Sequence, residues 1–438
     1  MGEVVALDTP ELASAEAARL RRILLSSILG TAVEWYDFLL YAIATATVFN
    51  RLFFPSGDPA LSSIVSFGTY GVGFLARPLG AAIFGHFGDR VGRKAMLATT
   101  IVIMGLGTAL IGLLPAYAQL GLAAPVLLVA LRFLQGIGLG GEWGGAVLMV
   151  VENAGSRRRG MMGAMVQIGY SFGNLAAIGI FTVFAHLPEA EFLAWGWRVP
   201  FLLSIPLVGV GLYVRLKLQE TPAFRRLEQT QQIARMPIAE VFTHHRRPFF
   251  IAVCLKVSEI AWASIAGVFV IAYATGKLGL PRAAILNALL LATALTLITI
   301  PLYGWLSDII GRRAMFLASC VFSVLFAFPL FWMLDTRDMT LVTLAIVLGI
   351  NGGQMVGFSV GAPWYSELFP ARLRYSGASL GFQIGAALSG GLSPFIAAAL
   401  VAWSGGAPWP ISLFLIACAL LTGGAAWLAP ETARRALT

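Results

Sequence analysis

The sequence predicts an all-α membrane protein with twelve transmembrane helices in two six-helix pseudo-symmetric halves. Three observations predict it. The 438-residue chain is 58% hydrophobic and 12% charged, whereas a soluble protein carries about 25% charged residues. Twelve apolar runs follow one another, each near the roughly 20 residues that a spanning helix needs. Ten residues, Gly85-His86-Phe87-Gly88-Asp89-Arg90-Val91-Gly92-Arg93-Lys94, recur 219 positions later as Gly304-Trp305-Leu306-Ser307-Asp308-Ile309-Ile310-Gly311-Arg312-Arg313. Both copies read G-x-x-x-D-x-x-G-R-[KR] in a short polar gap between apolar runs. An offset of half the chain points to a duplicated membrane unit.

The spans are read at 23–49, 62–87, 95–114, 124–151, 160–185, 198–217, 248–273, 283–306, 314–334, 340–366, 375–402 and 410–429. This divides the chain into an N-terminal tail 1–22, a first half 23–217, a linker 218–247, a second half 248–429 and a C-terminal tail 430–438. The linker is too polar to cross a bilayer. Two further landmarks repeat. Glu152 precedes Arg157 and Arg159 by five and seven residues, as Glu367 precedes Arg372 and Arg374. Glu220-Thr221 closes the first half and Glu431-Thr432 the second. An even number of spans per half makes the halves parallel repeats.

The net charge of +9 serves topology rather than nucleic acid. Of the 30 Lys and Arg residues, 22 fall in the gaps on one side of the spans, five on the other, and three inside spans. Such asymmetry marks the basic side as cytoplasmic and puts both termini there, in a multi-pass bacterial inner-membrane protein. No apolar core precedes the Arg19–Arg22 cluster, so no cleavable signal peptide is expected. Cys254, Cys320 and Cys418 lie in apolar runs at spacings that suit neither a metal nor a disulfide, and are expected to act as small buried hydrophobes. No phosphate loop, metal-spacing His/Cys set or nucleophile elbow appears, so neither an enzyme nor a cofactor is expected.

The repeated loop resembles the signature loop of the major facilitator superfamily. Further stretches resemble its metabolite:proton symporter branch. They are Glu34-Trp35-Tyr36-Asp37-Phe38, Phe74-Leu75-Ala76-Arg77-Pro78-Leu79-Gly80, Gln135-Gly136 with Gly140-Gly141-Glu142-Trp143, Trp195-Gly196-Trp197-Arg198-Val199-Pro200-Phe201 and Glu220-Thr221-Pro222-Ala223-Phe224. Tyr273-Ala274-Thr275 with Leu278-Gly279-Leu280-Pro281-Arg282 and Asn287 resemble the shikimate-carrying members. The resemblance implies a proton-coupled symporter that imports a small organic acid by alternating access: shikimate-like, aromatic, or a di- or tricarboxylate. Its partners would be that acid, protons and the lipid bilayer, and it would work as a monomer. The alternatives are a betaine or proline symporter and a proton-driven exporter. The chain has no long C-terminal coiled coil of the kind some osmosensing members carry.

An ionisable residue inside a span costs several kcal/mol unless paired or wetted, so each is a functional candidate. Glu34 and Asp37 share one face of the first span, and Tyr41 continues it. Asp37 lies about 9 Å from the outer edge and Arg132, on the fourth span, about 12 Å, at 1.5 Å per residue. An Asp37–Arg132 pair is therefore expected, either as a proton switch or as a permanent ion pair. Sugar-porter members couple protons through a similar acid and arginine. Glu34 and Glu142 are further proton or substrate candidates. Arg77 before Pro78 either satisfies backbone carbonyls or anchors substrate. Lys256 and Glu259 stand one turn apart on the seventh span with Trp262, either to meet a substrate carboxylate or to cancel one another.

Polar and aromatic residues complete the expected cavity: Trp143; Gln167, Tyr170 and Asn174 on one face of the fifth span; Asn351 and Gln354 on the tenth; Gln383 on the eleventh. Helix–helix hydrogen bonding is the other use of such residues. In the loops, Asp89 and Asp308 would cap helices. The resemblance adds a cytoplasmic gate in which Asp89, Arg93, Asp308 and Arg312 meet Glu152, Arg157, Glu367 and Arg372.

Overall fold

The computed structural model describes residues 10–55, 59–91, 93–141, 147–148, 150–151, 158–217, 237–370, 373–433 and 435. Side chains are described at these positions except 10–23, 59–60, 85–91, 93–97, 214–215, 217, 237–239, 244 and 375. Among the described residues there is no strand, and twelve long helices follow the twelve apolar runs.

Helix α1 runs Pro10–Ala44 and continues through a π-helical turn at Thr45–Phe49 into Asn50–Leu52. It starts well before the apolar run because the Ala-rich segment ahead of it is also a strong helix former. Next come α2 (Pro59–Val91), α3 (Arg93–Leu113), α4 (Ala123–Gly140) and α5 (Arg159–Ala185). They are followed by α6 (Glu189–Tyr213), α7 (Arg246–Lys277), α8 (Arg282–Ile310), α9 (Arg312–Asp335) and α10 (Met339–Glu367). The last two are α11 (Ser376–Trp403) and α12 (Trp409–Leu428). By length and composition, α4 to α12 can each cross a membrane, and α3 holds the apolar stretch Ala98–Leu113. The apolar side chains that face outward, such as Leu75, Ile205, Leu325, Trp332 and Leu420, suit a lipid surface rather than water.

Helix α5 is central: it packs on α1 and also on α8 and α10, so it joins the first six helices to the last six. Helix α2 packs on α4 and crosses to α11. Glycine permits that first contact. A Cβ at Gly136 would stand 2.2 Å from the carbonyl oxygen of Gly73, a separation no side chain tolerates, so α2 and α4 touch backbone to backbone.

The helices are interrupted where the site lies. Prolines sit inside α2, α8, α9 and α10 at Pro78, Pro301, Pro329 and Pro363, each removing one ladder bond. The π-helical turns at Thr45–Phe49 in α1 and Ile265–Phe269 in α7 lie 220 residues apart, close to the motif offset. Others fall at Gly349–Gln354 and Ala387–Gly391. Such turns break the regular ladder and often border functional sites.

Of the three cysteines, Cys320 and Cys418 are buried, Cys254 is partly so, and all three are free. At the opposite end from the repeated motif, Asp338 accepts the backbone N–H groups of Thr340 and Leu341 and caps α10. Those two bonds hold its carboxyl below the usual carboxylate range.

Candidate functional site

Six ionisable groups lie buried at mid-length among the described helices: Glu34 and Asp37 on α1, Arg77 on α2, Arg132 on α4, Lys256 and Glu259 on α7. The aromatic residues of α1 and α2 organise the arginines. Arg77 stands over the rings of Phe38 (4.5 Å) and Phe74 (4.3 Å), and Arg132 over Tyr41 (4.1 Å) and Phe38 (5.0 Å). Phe38 is therefore shared by two guanidinium groups, each drawn to the negative face of the ring. Gly73 makes the room: a Cβ there would lie 2.4 Å from Arg132 Nε. Arg77 also feels the charges of Glu34 and Arg132.

The expected contact between Asp37 and Arg132 is absent. Asp37 is only 2% exposed; the Thr108 hydroxyl lies beside its carboxyl but is turned to the Met104 carbonyl (3.0 Å), so neither oxygen holds a well-directed hydrogen bond. Arg132 Nη1 instead donates to Gln135 Oε1 (3.2 Å), and Gln135 Nε2 donates to Thr108 Oγ1 (2.7 Å). Depth along the helices was read correctly enough to bring the two charges into electrostatic range. Helix rotation and ring stacking then chose a different partner for the guanidinium. Tyr41 likewise gives its hydroxyl to Thr69 (2.8 Å).

Lys256 and Glu259 do form a buried ion pair. Lys256 Nζ also lies 3.8 Å from the ring centroid of Phe382 and 5.5 Å from that of Phe358. One oxygen of Glu259, Oε1, is left without a partner. Trp35, Tyr170 and Phe358 meet edge-on beside it, with centroids 4.7 to 5.7 Å apart. Tyr170 and Gln354 touch across α5 and α10 at 3.3 Å. Gln167 Nε2, Asn174 Oδ1, Trp262 Nε1 and Gln383 Oε1 are buried without partners. Buried polar groups are nearly always satisfied, so these unpaired groups are candidates for a binding role. Trp262 turns toward α9 and α10, stacking with Phe326 (6.1 Å) and covering Gly353.

Asn351 departs from the sequence reading. It donates to the carbonyls of Ala292 (3.0 Å) and Val347 (3.1 Å) and accepts from Thr299 (2.7 Å). Two of these bonds staple α10 to α8 and one stays within α10, the helix–helix use of such a residue. Glu142 and Trp143 lie outside the described residues.

At the end that carries the repeated motif, the helices are tied shut. Glu367, 2% exposed, receives Arg159 Nη1 (3.2 Å) from α5 and Arg312 Nη2 (3.4 Å) from α9. Arg312 also pairs with Asp308 (3.0 Å). Asp308 accepts the first backbone N–H groups of α5, from Gly160 (2.8 Å) and Met161 (3.0 Å), so it caps a helix of the other half. Glu431, noted in the sequence only as a landmark, caps α9 by accepting the backbone N–H groups of Arg312 and Arg313. Burial works against its charge, but these bonds and those from Thr432 and Ala433 outweigh it and hold the carboxyl below the usual range. A depressed carboxyl keeps its contribution above the ordinary carboxylate pKa and loses it only as pH falls through the lower value, so this cap is intact at neutral pH.

The pairing corrects the sequence reading in one respect. Arg159, seven residues after Glu152, reaches Glu367, and Arg374 spends its Nε on the carbonyls of Ser366 and Phe369. Both cations are buried. Glu152, Arg157 and Arg372 lie outside the described residues, as do the side chains of Asp89 and Arg93. Glu367→Gln removes the one carboxylate shared by two buried arginines, a change that costs about 3–5 kcal/mol for a buried pair. The expected result is at least a tenfold gain in labelling, from the motif end, of a cysteine placed at Met162 in a cysteine-free background. Unchanged labelling would leave the network without a closing role.

A sequence model described as Major Facilitator Superfamily matches residues 38–381. The chain is 40% identical to the shikimate transporter of Escherichia coli (strain K12) over 428 residues, 97% of this chain and 98% of that protein. It is 39% identical to the inner membrane metabolite transport protein YhjE of the same organism, over 95% of each chain. It is 34% identical to that organism's proline/betaine transporter, over 87% of this chain and 78% of the other. Among solved structures, the partially occluded inward-open xylose transporter XylE from E. coli superposes with a TM-score of 0.73 at 18% identity, covering 95% of this chain and 99% of that one. A crystal structure of a D-xylose-proton symporter gives 0.70 at 18% identity, with the same coverage.

Proposed function

Because the chain belongs to the Major Facilitator Superfamily and is a membrane transporter rather than an enzyme, we propose that it is a proton-coupled symporter of a hydroxylated monocarboxylic acid. In this reading the motif end is cytoplasmic, in line with the basic asymmetry of the gaps. The halves 23–217 and 248–429 rock about the buried centre, and the described state is closed toward the cytoplasm. The protein works as a monomer in the bacterial inner membrane.

The observation that carries the proposal is the buried pair Lys256–Glu259 with one carboxylate oxygen left over. A lysine at that depth suits an anionic ligand group. The spare Glu259 oxygen, which can only accept in its charged form, calls for a donor on the same ligand. A hydroxy acid offers both, whereas a plain dicarboxylate offers acceptors alone. Gln167, Asn174 and Gln383 supply further unspent donors and acceptors among the neighbouring helices. Betaine carries no hydroxyl or N–H donor and would leave Glu259 unsatisfied. The shikimate transporter at 40% identity points the same way.

Charge balance supports the coupling. The three described carboxyl groups and three described cations at the centre cancel when all are ionised. Binding a monoanion disturbs that balance by one charge, and one proton on Asp37 restores it. An unbalanced charge in a low-dielectric centre is costly, so acid and proton load together. The loaded carrier then moves no net charge. Uptake of radiolabelled shikimate into proteoliposomes should follow an imposed pH gradient and be indifferent to a potassium diffusion potential. Uptake driven by the potential alone would overturn the one-proton, one-monoanion balance. Failure of shikimate and of a panel of other hydroxy acids to shift the melting temperature would overturn the substrate class.

A further inference from the structure

Two adjoining cavities of about 800 and 410 Å³ open at the end opposite the motif, between α1, α2, α7 and α11. They share Asn50, Arg51, Ser63, Ala272 and Gly276. Phe67 of α2 and Phe269 of α7, with ring centroids 6.3 Å apart, line the larger one. In the proposed topology this is the outer vestibule, above the buried centre.

Its charge is unexpected. Topology depletes the outer side of cations, and the gaps there hold only five: Arg51, Arg198, Lys277, Arg282 and Arg337. Three of those five, Arg51, Lys277 and Arg282, line these two cavities. Arg198, by contrast, is committed to the carbonyls of Gly112 and Leu114. One carboxylate, Glu189, lines the smaller cavity. It pairs with Arg51 and lies 3.9 Å from Arg282. Among the described residues Lys277 has no acidic partner: it donates to the carbonyl of Gly406 and lies 5.0 Å from the ring centroid of Tyr273. Asp335 accepts the Tyr273 hydroxyl at 2.6 Å. Among the described lining residues, three cations stand against the single carboxylate Glu189, in a space large enough for a small acid. Asn50 adds a buried side-chain oxygen without a partner. Amide orientation follows the partner available, so that group can turn its N–H toward an anion.

We propose that this vestibule is a capture site for the substrate carboxylate, centred on Lys277 with Arg51 and Arg282, and that the acid waits there before passing between Phe67 and Phe269. The inference rests on the organic-acid reading. A cleft of one sign with low-dielectric walls concentrates the opposite charge and raises the rate of encounter. Such a site lowers KM without touching the chemistry of coupling at the centre.

The test is initial-rate uptake of radiolabelled shikimate by proteoliposomes holding the full chain. Lys277→Gln should raise KM roughly threefold to tenfold with kcat unchanged, in the range that electrostatic steering supplies. Raising salt from about 10 to about 150 mM shortens the screening length from ~30 to ~8 Å. It should therefore lower kcat/KM of the wild type and barely affect the variant. Lys277→Gln with Ser63→Lys puts a cation back on the vestibule wall without restoring the Gly406 bond, and should recover most of the lost affinity. Arg282→Gln should act in the same direction if the first variant fails to insert. Wild-type KM and salt dependence in these variants would overturn the capture site. No rescue by the Ser63→Lys change would also overturn it, leaving Lys277 as a loop tether. If the wild type itself takes up no acid, the substrate reading fails instead.

Discussion

Asp37→Asn variants equilibrate substrate across the membrane but do not concentrate it. Asparagine keeps the shape of the carboxyl group and cannot ionise. Wild-type protein carrying one proton per acid accumulates substrate about tenfold per unit of imposed pH difference, because one unit is worth about 1.4 kcal/mol. The variant should hold the ratio at one while still exchanging labelled for unlabelled substrate. The motivation is structural: Asp37 is enclosed, holds no well-directed hydrogen bond beside Thr108, and lies within the field of Arg132, whose Nη1 is held by Gln135 while Nε and Nη2 are unpaired. A carboxyl group in that position exchanges between a proton and a nearby guanidinium with a small side-chain movement. If Asp37→Asn still concentrates substrate against a gradient, the coupling carboxyl is Glu34 or Glu142. Gradient-driven uptake in those two variants would then identify it.

The second large effect is at Lys256. Lys256→Gln removes the cation proposed to meet the substrate carboxylate and strands Glu259 in the same step. Breaking the pair costs about 3–5 kcal/mol of stability, and loss of the charged partner of a buried ligand group costs about 2–5 kcal/mol of binding, so binding of the acid should fall about thirtyfold or more. Lys256→Arg should retain more of it, since the charge remains, although the flat guanidinium must fit beside Phe382. The double variant Lys256→Gln with Glu259→Gln separates the two roles. It relieves the stranded charge and should restore protein stability in a melting assay, while acid binding stays lost. Recovery of binding in the double variant would make the pair a structural device and move the anion site elsewhere.

These two experiments address what helix geometry could not give from the sequence. The apolar runs were legible because the bilayer imposes one requirement on every span, about 20 residues with internally satisfied backbones. The repeated motif and the one-sided basic gaps were legible for the same reason: they report local composition and a side of the membrane. Lys256 and Glu259 were readable as neighbours because a turn of helix fixes i and i+3 together. Partnerships across helices were not fixed in this way. Arg132 stacks on Tyr41 and gives Nη1 to Gln135, leaving Nε and Nη2 unpaired, and makes no ion pair with Asp37. Asn351 sits on the same stripe as Gln354 but bonds to Ala292 and Thr299 of α8.

The sequence by itself determined the class, the count and order of the spans, the duplication and the set of charged residues placed within the apolar runs. Only the tertiary structure decided which of those charges meet. Glu431 caps α9 across 119 residues of chain, Glu367 gathers arginines from α5 and α9, and Arg51, Lys277 and Arg282, distant in sequence, converge on two adjoining cavities. Hydropathy is a property of one segment in one solvent. A contact between two helices depends on the rotation, tilt and docking of both, and these are set by the summed packing of all twelve.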